Sequence, residues 1–185
     1  MLKLIKKVLK TGTATVAYPA KPLEMAANFR GKPQYNAQQC IGCGACANAC
    51  PSNALTMTPP EEGEAIRWSL FLGRCIFCAR CEEVCPTAAI RLSQEFELAV
   101  WRKEDLFETA DFPVCRCREC GHPYAVQKEI DFALSLLQES AALSERQIAE
   151  RREQYETCPS CKKKHQLPAS SRIDIGRHLT PEAQL

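Results

Sequence analysis

The sequence predicts an α+β fold in which short helices and strands surround groups of cysteine side chains. Three observations support this prediction. Eight of the 13 cysteines form two copies of one spacing, and each copy ends in Cys-Pro. A basic segment whose apolar residues recur at helical spacing precedes the two copies. Two further Cys-x2-Cys pairs, with a helical pattern between them, follow the copies.

Both cysteine runs read C-x2-C-x2-C-x3-C-P, the spacing with which bacterial two-cluster ferredoxins bind a pair of 4Fe-4S clusters. One short loop supplies three of the four thiolates that a cluster needs, so the fourth cysteine of each run serves the other cluster. This rule predicts two ligand sets. The first set is Cys40, Cys43, Cys46 and Cys85, and the second set is Cys75, Cys78, Cys81 and Cys50.

The similarity between the copies extends beyond the cysteines, since residues 39–57 align with residues 74–92. Such a duplication predicts a pseudo-twofold core with one strand and one short helix in each half. Pro51 and Pro86 should end the two helices, because proline lacks an amide donor and restricts the residue before it. The apolar residues expected to cover the two cysteine sites are Ile41, Leu55, Ile76 and Ile90.

The segment between the two copies predicts a β-hairpin. Residues 66–72 have the composition of a strand, and residues 59–63 supply turn-forming Pro and Gly before it. We therefore expect an antiparallel pair of strands between the first cysteine run and the second.

Disulfide bonds or zinc ions account for the eight cysteines less well than iron-sulfur clusters do. A disulfide framework is typical of short secreted chains, and no signal peptide is visible here. Paired zinc sites usually have a longer gap between their Cys-x2-Cys pairs than these runs have. Thirteen cysteines without a leader also indicate a reducing compartment, so we expect the chain in the cytoplasm.

Residues 1–36 form a basic arm, with seven Lys or Arg residues against a single Glu. Apolar residues alternate with lysines at helical spacing over residues 1–10, which predicts an amphipathic helix, and residues 11–19 should be extended. The helix either packs on its own domain as a solubilising tail or docks on a partner subunit or an anionic membrane surface. No apolar run reaches the roughly 20 residues of a membrane span. Nucleic-acid binding is not expected, because no stacking aromatics or recognition fold accompany the basic residues.

The later cysteine pairs, Cys117 with Cys120 and Cys158 with Cys161, predict one mononuclear metal site. Four thiolates from two such knuckles form a closed tetrahedral shell, which is typical of structural zinc. The same sulfur geometry holds a single iron in rubredoxin, and four thiolates accept either metal. The sequence leaves zinc and iron open, and four unligated buried cysteines are the remaining alternative.

The segment between these knuckles predicts a helical hairpin that the metal joins at its base. Four apolar residues recur on one face of its first helix: Val126, Ile130, Ala133 and Leu137. Ser144 and Gln147 form a capping box at the start of a second helix, which runs toward Tyr155.

Three residues near the knuckles are not expected to bind metal, because four cysteines already complete the site. Cys115 lies two residues before Cys117, and we assign it no role in the site. His122 and His165 should lie at the surface or beside the ligands. The three lysines at 162–164 should form a solvated face.

Together, these predictions describe an α+β protein with a two-cluster bacterial ferredoxin-type domain, an N-terminal amphipathic arm and a C-terminal rubredoxin-like or zinc-ribbon-like four-cysteine metal site around a helical hairpin. The predicted segments are a docking arm at 1–36, a two-cluster domain at 37–95, a linker at 96–113, a mononuclear metal domain at 114–168 and a tail at 169–185.

The chain resembles the ferredoxin-like iron-sulfur subunit of formate hydrogenlyase, a membrane-associated NiFe hydrogenase complex. The resemblance rests on both late knuckles and on segments that cover most of the chain. These segments are NFRGKP at 28–33, QQCIGCGACANACPSNALT at 38–56, LGRCIFCARCEEVCPTAAI at 72–90, SQEFELAVW at 93–101 and AVQKEIDFA at 125–133. The same flanks are similar to the two-cluster subunit of respiratory NADH:quinone oxidoreductase, which lacks the late knuckles.

The resemblance implies a non-catalytic electron-transfer subunit. In such complexes this subunit passes electrons from a formate dehydrogenase module, through further iron-sulfur subunits, to the NiFe centre of the large hydrogenase subunit, where protons are reduced. The resemblance also implies a peripheral position on the cytoplasmic face of the inner membrane, with the basic arm lying along neighbouring hydrogenase subunits.

Other functions remain open from the sequence. The chain could belong to a complex similar to NADH:quinone oxidoreductase, or it could be a freely diffusing two-cluster ferredoxin, although the basic arm and the long C-terminal extension argue against diffusion. The late knuckles could also serve as a protein-binding or assembly module. Small residues flank the first cysteine run and bulky or charged residues flank the second, so the two clusters should differ in reduction potential, in an order that the sequence does not assign.

Overall fold

A computed structural model describes residues 2–13, 15–59, 64–141 and 143–170, with side chains through residue 165. Short helices and strands are interspersed as far as β6, and three helices follow in the described residues. The helices are α1 (Leu2–Thr11), α2 (Ala45–Ala49), α3 (Arg80–Val84), α4 (Gln127–Ala141), α5 (Glu145–Tyr155) and α6 (Pro159–Ser170). The strands are β1 (Pro33–Tyr35), β2 (Leu55–Thr58), β3 (Ala65–Phe71), β4 (Ile90–Leu92), β5 (Phe107–Arg116) and β6 (Pro123–Val126).

The described strands form two antiparallel sheets. A two-stranded sheet joins β1 to β4, with Tyr35 opposite Ile90. A four-stranded sheet has the order β2-β3-β5-β6. The pair β2 and β3 is the hairpin that the sequence predicts between the two cysteine runs, and β3 lies within one residue of the predicted strand. The predicted turn at 59–63 lies, apart from Pro59, outside the described residues.

The two cysteine runs fold alike, as the repeat predicts. Each run forms a loop and then a five-residue helix, α2 in the first half and α3 in the second. Cys50 and Cys85 follow the helices in extended conformation, with φ of -77° and -76°. This geometry is expected for a residue before proline, so Pro51 and Pro86 end the two helices as predicted.

The expected linker at 96–113 needs correction, because residues 107–113 belong to strand β5. All seven residues of β3 pair with β5, and Arg67 on β3 contacts Asp111 on β5 at 2.7 Å from Nε to Oδ1. Alternate side chains of β5 are at least partly buried, which is the period of a half-buried strand. The connection between the two predicted domains is therefore a strand of a shared sheet.

The main hydrophobic core also crosses that predicted domain boundary. Trp68 and Leu70 from β3 pack in one cluster with Phe112 from β5 and Val126 from β6. Burial of these large side chains contributes roughly 1.5–3 kcal/mol each. The C-terminal strands are therefore held on the cysteine-rich core by apolar packing as well as by strand pairing.

Helix α1 covers the residues predicted to form an amphipathic helix, apart from Met1, which lies outside the described residues. Every residue of α1 is exposed, including its Leu, Ile and Val side chains. The following segment, predicted to be extended, forms no strand in its described residues and turns at Tyr18. The Tyr18 hydroxyl donates to Glu97, and its ring contacts Phe96 edge-on at 5.4 Å between centroids. Among the described residues, no helix combines the length and apolar character needed to cross a membrane.

Helices α4 and α5 form the predicted hairpin. The Ser144 amide donates to Gln147 Oε1 at 3.0 Å, which confirms the capping box at the start of α5. On the predicted apolar face of α4, Ile130 is buried and Ala133 and Leu137 are partly buried, and Leu134 is buried beside them. Val126, which the sequence places on that helix, instead ends strand β6.

Candidate metal centres

Cysteines from both runs line each of two similar cavities. The loop before α2 brings Cys40, Cys43 and Cys46 to the first cavity, and Cys85 reaches it from the end of α3. The second cavity is lined in the same way by Cys75, Cys78 and Cys81, with Cys50 from the end of α2. The two cavities are nearly equal in size. The structure thus brings together each predicted ligand set, and ligation by these sets stays a prediction.

Left-handed backbone residues wrap each loop around its cavity. Gly42 and Gly44 have φ of 72° in the first loop. The equivalent residues of the second loop, Phe77 and Ala79, have φ of 55° and 68°. Non-glycine residues adopt positive φ only at a cost in energy, so their presence at matching positions indicates that the loop shape is required by the site.

Backbone amides donate to the cysteine sulfurs at equivalent positions in the two halves. The Gly42 amide lies 3.4 Å from Cys40 Sγ, and the Phe77 amide lies 3.5 Å from Cys75 Sγ. Two further contacts match in the same way: Ala54 N to Cys50 Sγ at 3.3 Å and Ala89 N to Cys85 Sγ at 3.2 Å. These donors stabilise negative charge on sulfur, as an iron-sulfur cluster requires.

The thiol pKa values differ with position in the cavities. Burial raises the pKa of Cys43, Cys46 and Cys75, and it raises the pKa of Cys81 to about 12. Burial also opposes ionisation of Cys50 and Cys85, but hydrogen bonds from neighbouring hydroxyl and amide groups outweigh it and lower both pKa values. Most of these thiols therefore stay protonated near neutral pH without a metal, and metal binding displaces their protons.

Two aromatic residues that the sequence did not single out lie against the first cavity. Trp68 Nε1 donates to Cys46 Sγ at 3.4 Å, and the Trp68 ring stacks on the Tyr35 ring with centroids 3.9 Å apart. The Tyr35 hydroxyl is the buried side-chain oxygen that has no hydrogen-bond partner among the described residues. Burial raises the Tyr35 pKa, as does neighbouring Cys40. The Tyr35 hydroxyl is thus a hydrogen-bond donor without a protein partner among the described residues, in a cavity lined by four thiols. This arrangement fits a cavity that binds a sulfur-rich group.

One predicted apolar cover is wrong. Ile41, Leu55 and Ile90 are buried as expected, but Ile76 is 61% exposed. Ile41, its counterpart in the first half, is 8% exposed. The difference has a tertiary cause, because the first loop lies beneath β5 and β6, where a Cβ on Gly42 would be 3.0 Å from Val126 and 3.2 Å from Phe112. The repeat could not indicate this asymmetry, since both loops have isoleucine at this position.

The four late cysteines form a third group, held by the turn after β5 and by the start of α6. The sulfurs of Cys117, Cys120, Cys158 and Cys161 all lie within 4.8 Å of one another. Tetrahedral zinc with Zn–S bonds of about 2.3 Å requires sulfurs about 3.8 Å apart. The Cys120 and Cys158 sulfurs are 3.7 Å apart, so the group fits one tetrahedral metal.

The backbone around this group forms two interlocked knuckles. The Cys158 amide donates to Cys117 Sγ at 3.3 Å, and the Cys161 amide donates to Cys158 Sγ at 3.4 Å. The first of these hydrogen bonds is the main reason that the pKa of Cys117 falls to about 6. The pKa of Cys161 is raised, first by its hydrogen bond to Cys158 and then by burial. The pKa values of Cys117 and Cys161 are thus shifted in opposite directions.

The residues that we expected to stay out of the four-cysteine group do so. Cys115 is buried away from it with Ile130 and Leu134, and its sulfur lies 3.8 Å from the Tyr124 hydroxyl. His122 is exposed, and His165 is exposed and contacts Glu119 at 2.9 Å. Cys115 thus serves the packing of α4 on the sheet.

Comparisons with known proteins identify the domain that contains the two cysteine runs. Residues 39–89 match the family model of the 4Fe-4S dicluster domain. Formate hydrogenlyase subunit 6 of Escherichia coli (strain K12) is 55% identical over 179 residues, which span 97% of this chain and 98% of that protein. This chain belongs to the formate hydrogenlyase subunit 6 family. Its 4Fe-4S dicluster domain makes it an electron-transfer subunit.

The family is also related to subunit I of NADH-quinone oxidoreductase. The subunit I 2 proteins of Geobacter metallireducens and Solibacter usitatus are 34% and 41% identical to this chain. They match 56% and 49% of this chain, and 86% and 67% of their own lengths. Among solved structures, a chain of the membrane-bound sulfane sulfur reductase, an archaeal respiratory membrane complex, is 30% identical with a TM-score of 0.42, over 56% of each chain.

Proposed function

We propose that the chain relays electrons through two 4Fe-4S clusters within a formate hydrogenlyase complex, from a formate dehydrogenase module toward a NiFe hydrogenase. The observation that carries the proposal is the grouping of eight cysteines into two cavities, each with three thiols from one run and one from the other. A bound 4Fe-4S cluster takes up and releases one electron. The chain's own part is to hold two such groups close together, with α2 packed against α3 between them.

The identity over nearly the whole chain favours the hydrogenlyase assignment over a role in an NADH:quinone oxidoreductase-like complex. Similarity to subunit 6 spans 97% of the chain, whereas similarity to the two subunit I relatives spans 56% and 49% of it. We therefore infer that the partners are the NiFe hydrogenase subunits and a further iron-sulfur subunit that delivers electrons. We also infer a peripheral position on the cytoplasmic face of the inner membrane.

Two exposed surfaces suit contacts within such a complex. Ile76 is exposed beside the second cavity. Arg30 contacts the loop of this cavity, with its Nη1 atom 3.5 Å from the Cys78 carbonyl oxygen. A partner subunit that carries the next redox centre can approach the second cluster here, whereas the chain's own strands cover the first loop. Helix α1 exposes an apolar face next to its lysines, which suits docking on a neighbouring subunit.

The late cysteines are proposed to bind one zinc or iron ion that holds the knuckles to the helical hairpin. The four sulfurs leave no open coordination position in a tetrahedral site, which favours a structural role. An ion at this site would link the end of β5 to the start of α6 and so orient the hairpin as an assembly surface. We retain the proposed division into a two-cluster unit over 37–95 and a metal unit over 114–168, joined by the shared sheet.

The decisive test is metal and sulfide analysis of the anaerobically purified chain, combined with EPR of two serine variants. We expect roughly eight irons and eight sulfides, plus one further zinc or iron. C50S should alter the EPR signal of the cluster held by Cys75, Cys78 and Cys81, and C85S should alter the other signal. A total near four irons would refute two clusters, and reversed effects of the two variants would refute the crossed ligand sets.

The complex-bound role is tested by affinity purification of the tagged chain from cells that produce the hydrogenase. We expect hydrogenase and dehydrogenase subunits to copurify with it. Recovery as a lone soluble monomer would support a diffusing ferredoxin instead. Replacing Leu4 and Val8 by serine should weaken recovery of the partners and leave the melting temperature unchanged, because both side chains are exposed.

A further inference from the structure

We propose that Tyr35 and Trp68 donate side-chain hydrogen bonds to sulfur at the first cysteine site and thereby raise the reduction potential of the cluster bound there. The proposal rests on the proposed function, because it requires a 4Fe-4S cluster in the first cavity. Reduction adds one negative charge to a cluster, and a donor directed at sulfur stabilises the reduced form more than the oxidised form. Hydrogen bonds to the sulfurs are among the factors that set the potential of such clusters.

Most donors to the two sites are duplicated and therefore contribute equally. Each site receives one amide from its loop and one amide after its crossed cysteine, at 3.2–3.5 Å from sulfur. Each also has a hydroxyl beside the crossed cysteine: Ser52 lies 3.6 Å from Cys50 Sγ, and Thr87 lies 3.7 Å from Cys85 Sγ. A difference in hydrogen bonding between the sites must come from residues outside this set.

The strand register shows which residues replace Tyr35 and Trp68 at the second site. Tyr35 pairs with Ile90, and Leu70 pairs with Leu55, the repeat equivalent of Ile90. Leu70 is therefore the counterpart of Tyr35.

By the same reasoning, Trp68 pairs with Met57, and Pro33 pairs with Leu92, the repeat equivalent of Met57. Pro33 is therefore the counterpart of Trp68. Both counterparts line the second cavity, and neither has a side-chain hydrogen-bond donor.

The two aromatic donors are held in place before any cluster binds. Trp68 is 1% exposed, and its Nε1 atom lies 3.4 Å from Cys46 Sγ. Its ring is nearly parallel to that of Tyr35, at an interplanar angle of 15°. The Tyr35 hydroxyl is buried at the cavity without a partner among the described residues, and a sulfur of the bound group would accept its proton in a hydrogen bond.

Charged residues also differ between the two sites and affect the two reduction potentials. The proposal therefore concerns the shift in the potential of the first cluster when one donor is removed. Arg80 lines the second cavity, although its guanidinium contacts Glu83 at 2.6 Å. Glu129 lies near Cys43, and Glu108 lies near Tyr35. A variant that removes a donor leaves all of these charges in place, so a shift in potential measures the donor itself.

The test is an EPR-monitored redox titration of the full chain carrying both clusters, in the variants Y35F and W68F. Each variant should shift the potential of the first cluster to a lower value and leave the second unchanged, and the double variant should shift it further. The two EPR signals are assigned with C43S, which alters the first site. Matched controls are Y18F and W101F, which remove the same groups from exposed residues away from both cavities and should shift neither potential.

A second measurement separates donation from packing. Pulsed EPR of the reduced protein exchanged into D2O should show several exchangeable protons coupled to the first cluster, since Gly42, Ala89 and Trp68 also donate N–H groups there. Y35F should remove one of these couplings and leave the others. Y35F deletes one oxygen and keeps the ring, so it tests the proposal even where W68F lowers cluster content. Unchanged potentials, or equal shifts of both clusters, would overturn the proposal while two clusters remain. Absence of a second cluster would instead overturn the proposed function.

Discussion

Replacing Gly42 by alanine should destabilise the protein more than the same change at Gly44. Both residues have φ of 72°, so an alanine at either position bears the left-handed strain of about 1–2 kcal/mol. The second half of the repeat already has Ala79 at the position equivalent to Gly44, with φ of 68°. The strain alone is therefore tolerated in this loop.

The two positions differ in what surrounds the added methyl group. At Gly42 the new Cβ would lie 3.0 Å from Val126 Cγ1 and 3.2 Å from Phe112 Cγ, whereas at Gly44 its nearest neighbour is Met57 Cγ at 3.6 Å. Overpacking of a well-filled core costs about 1–3 kcal/mol. For a chain of this length, that difference corresponds to about 2–12 °C in melting temperature.

The measurement is thermal unfolding of the anaerobically prepared protein, followed by far-UV circular dichroism at one scan rate. Gly121 provides a further control, since it has φ of 69° and no atom within 4 Å of an added Cβ. G44A and G121A should behave alike, and G42A should melt at a lower temperature than both. V126A should relieve part of the G42A effect, giving a double variant that is less destabilised than the sum of the single changes. Equal melting temperatures for G42A and G44A would refute the packing of β5 and β6 on the first loop.

Four further predictions address the hairpin, the late metal site and the exposed loop. S144A should cost about 1 kcal/mol and speed hydrogen exchange in the first turn of α5, and a uniform change across the chain would contradict the capping role. C117S should lose the mononuclear metal while both 4Fe-4S EPR signals persist, so loss of those signals would show that the late site supports the whole fold. The pKa of Cys117 is lowered in the folded protein, so its thiolate stabilises the fold after a chelator has removed the metal. This stabilisation is complete above pH 9.0, the ordinary pKa of a cysteine thiol. That stabilisation should be lost as pH falls through about 6, so the melting temperature should decrease from pH 9 to pH 6, and C117S should lack this dependence. I76E should leave the melting temperature unchanged and reduce copurification of partner subunits, whereas S69E, a charge added on β3 away from the cavities, should not affect recovery.

The cysteine sites could be predicted from the sequence because their signals are local. The spacing within each run places three thiols on one loop, and a proline after the fourth cysteine ends the helix. The capping box at Ser144 and the Cys-x2-Cys knuckles are likewise contained within a few residues. The crossed grouping of Cys50 and Cys85 follows from the rule for paired clusters, and the structure brings both to the expected cavities.

Contacts between distant segments explain why the rest could not be predicted. The sequence suggests a linker where β5 lies, because the seven pairs of β5 with β3 join residues about 40 positions apart and leave no local pattern. Trp68 lies within a predicted strand, but its contact with Cys46 depends on how β3 lies over the first loop.

The amino-acid sequence determines the chemistry of this protein, since the type and spacing of its cysteines specify which groups it can bind. Tertiary packing decides how the two equivalent halves become different. Strands β5 and β6 cover the loop with Ile41 and leave the loop with Ile76 open. Tyr35 and Trp68 line the first cavity and not the second. The physical reason is that ligand spacing is set within one loop, whereas burial and side-chain donors depend on which distant strands pack against it.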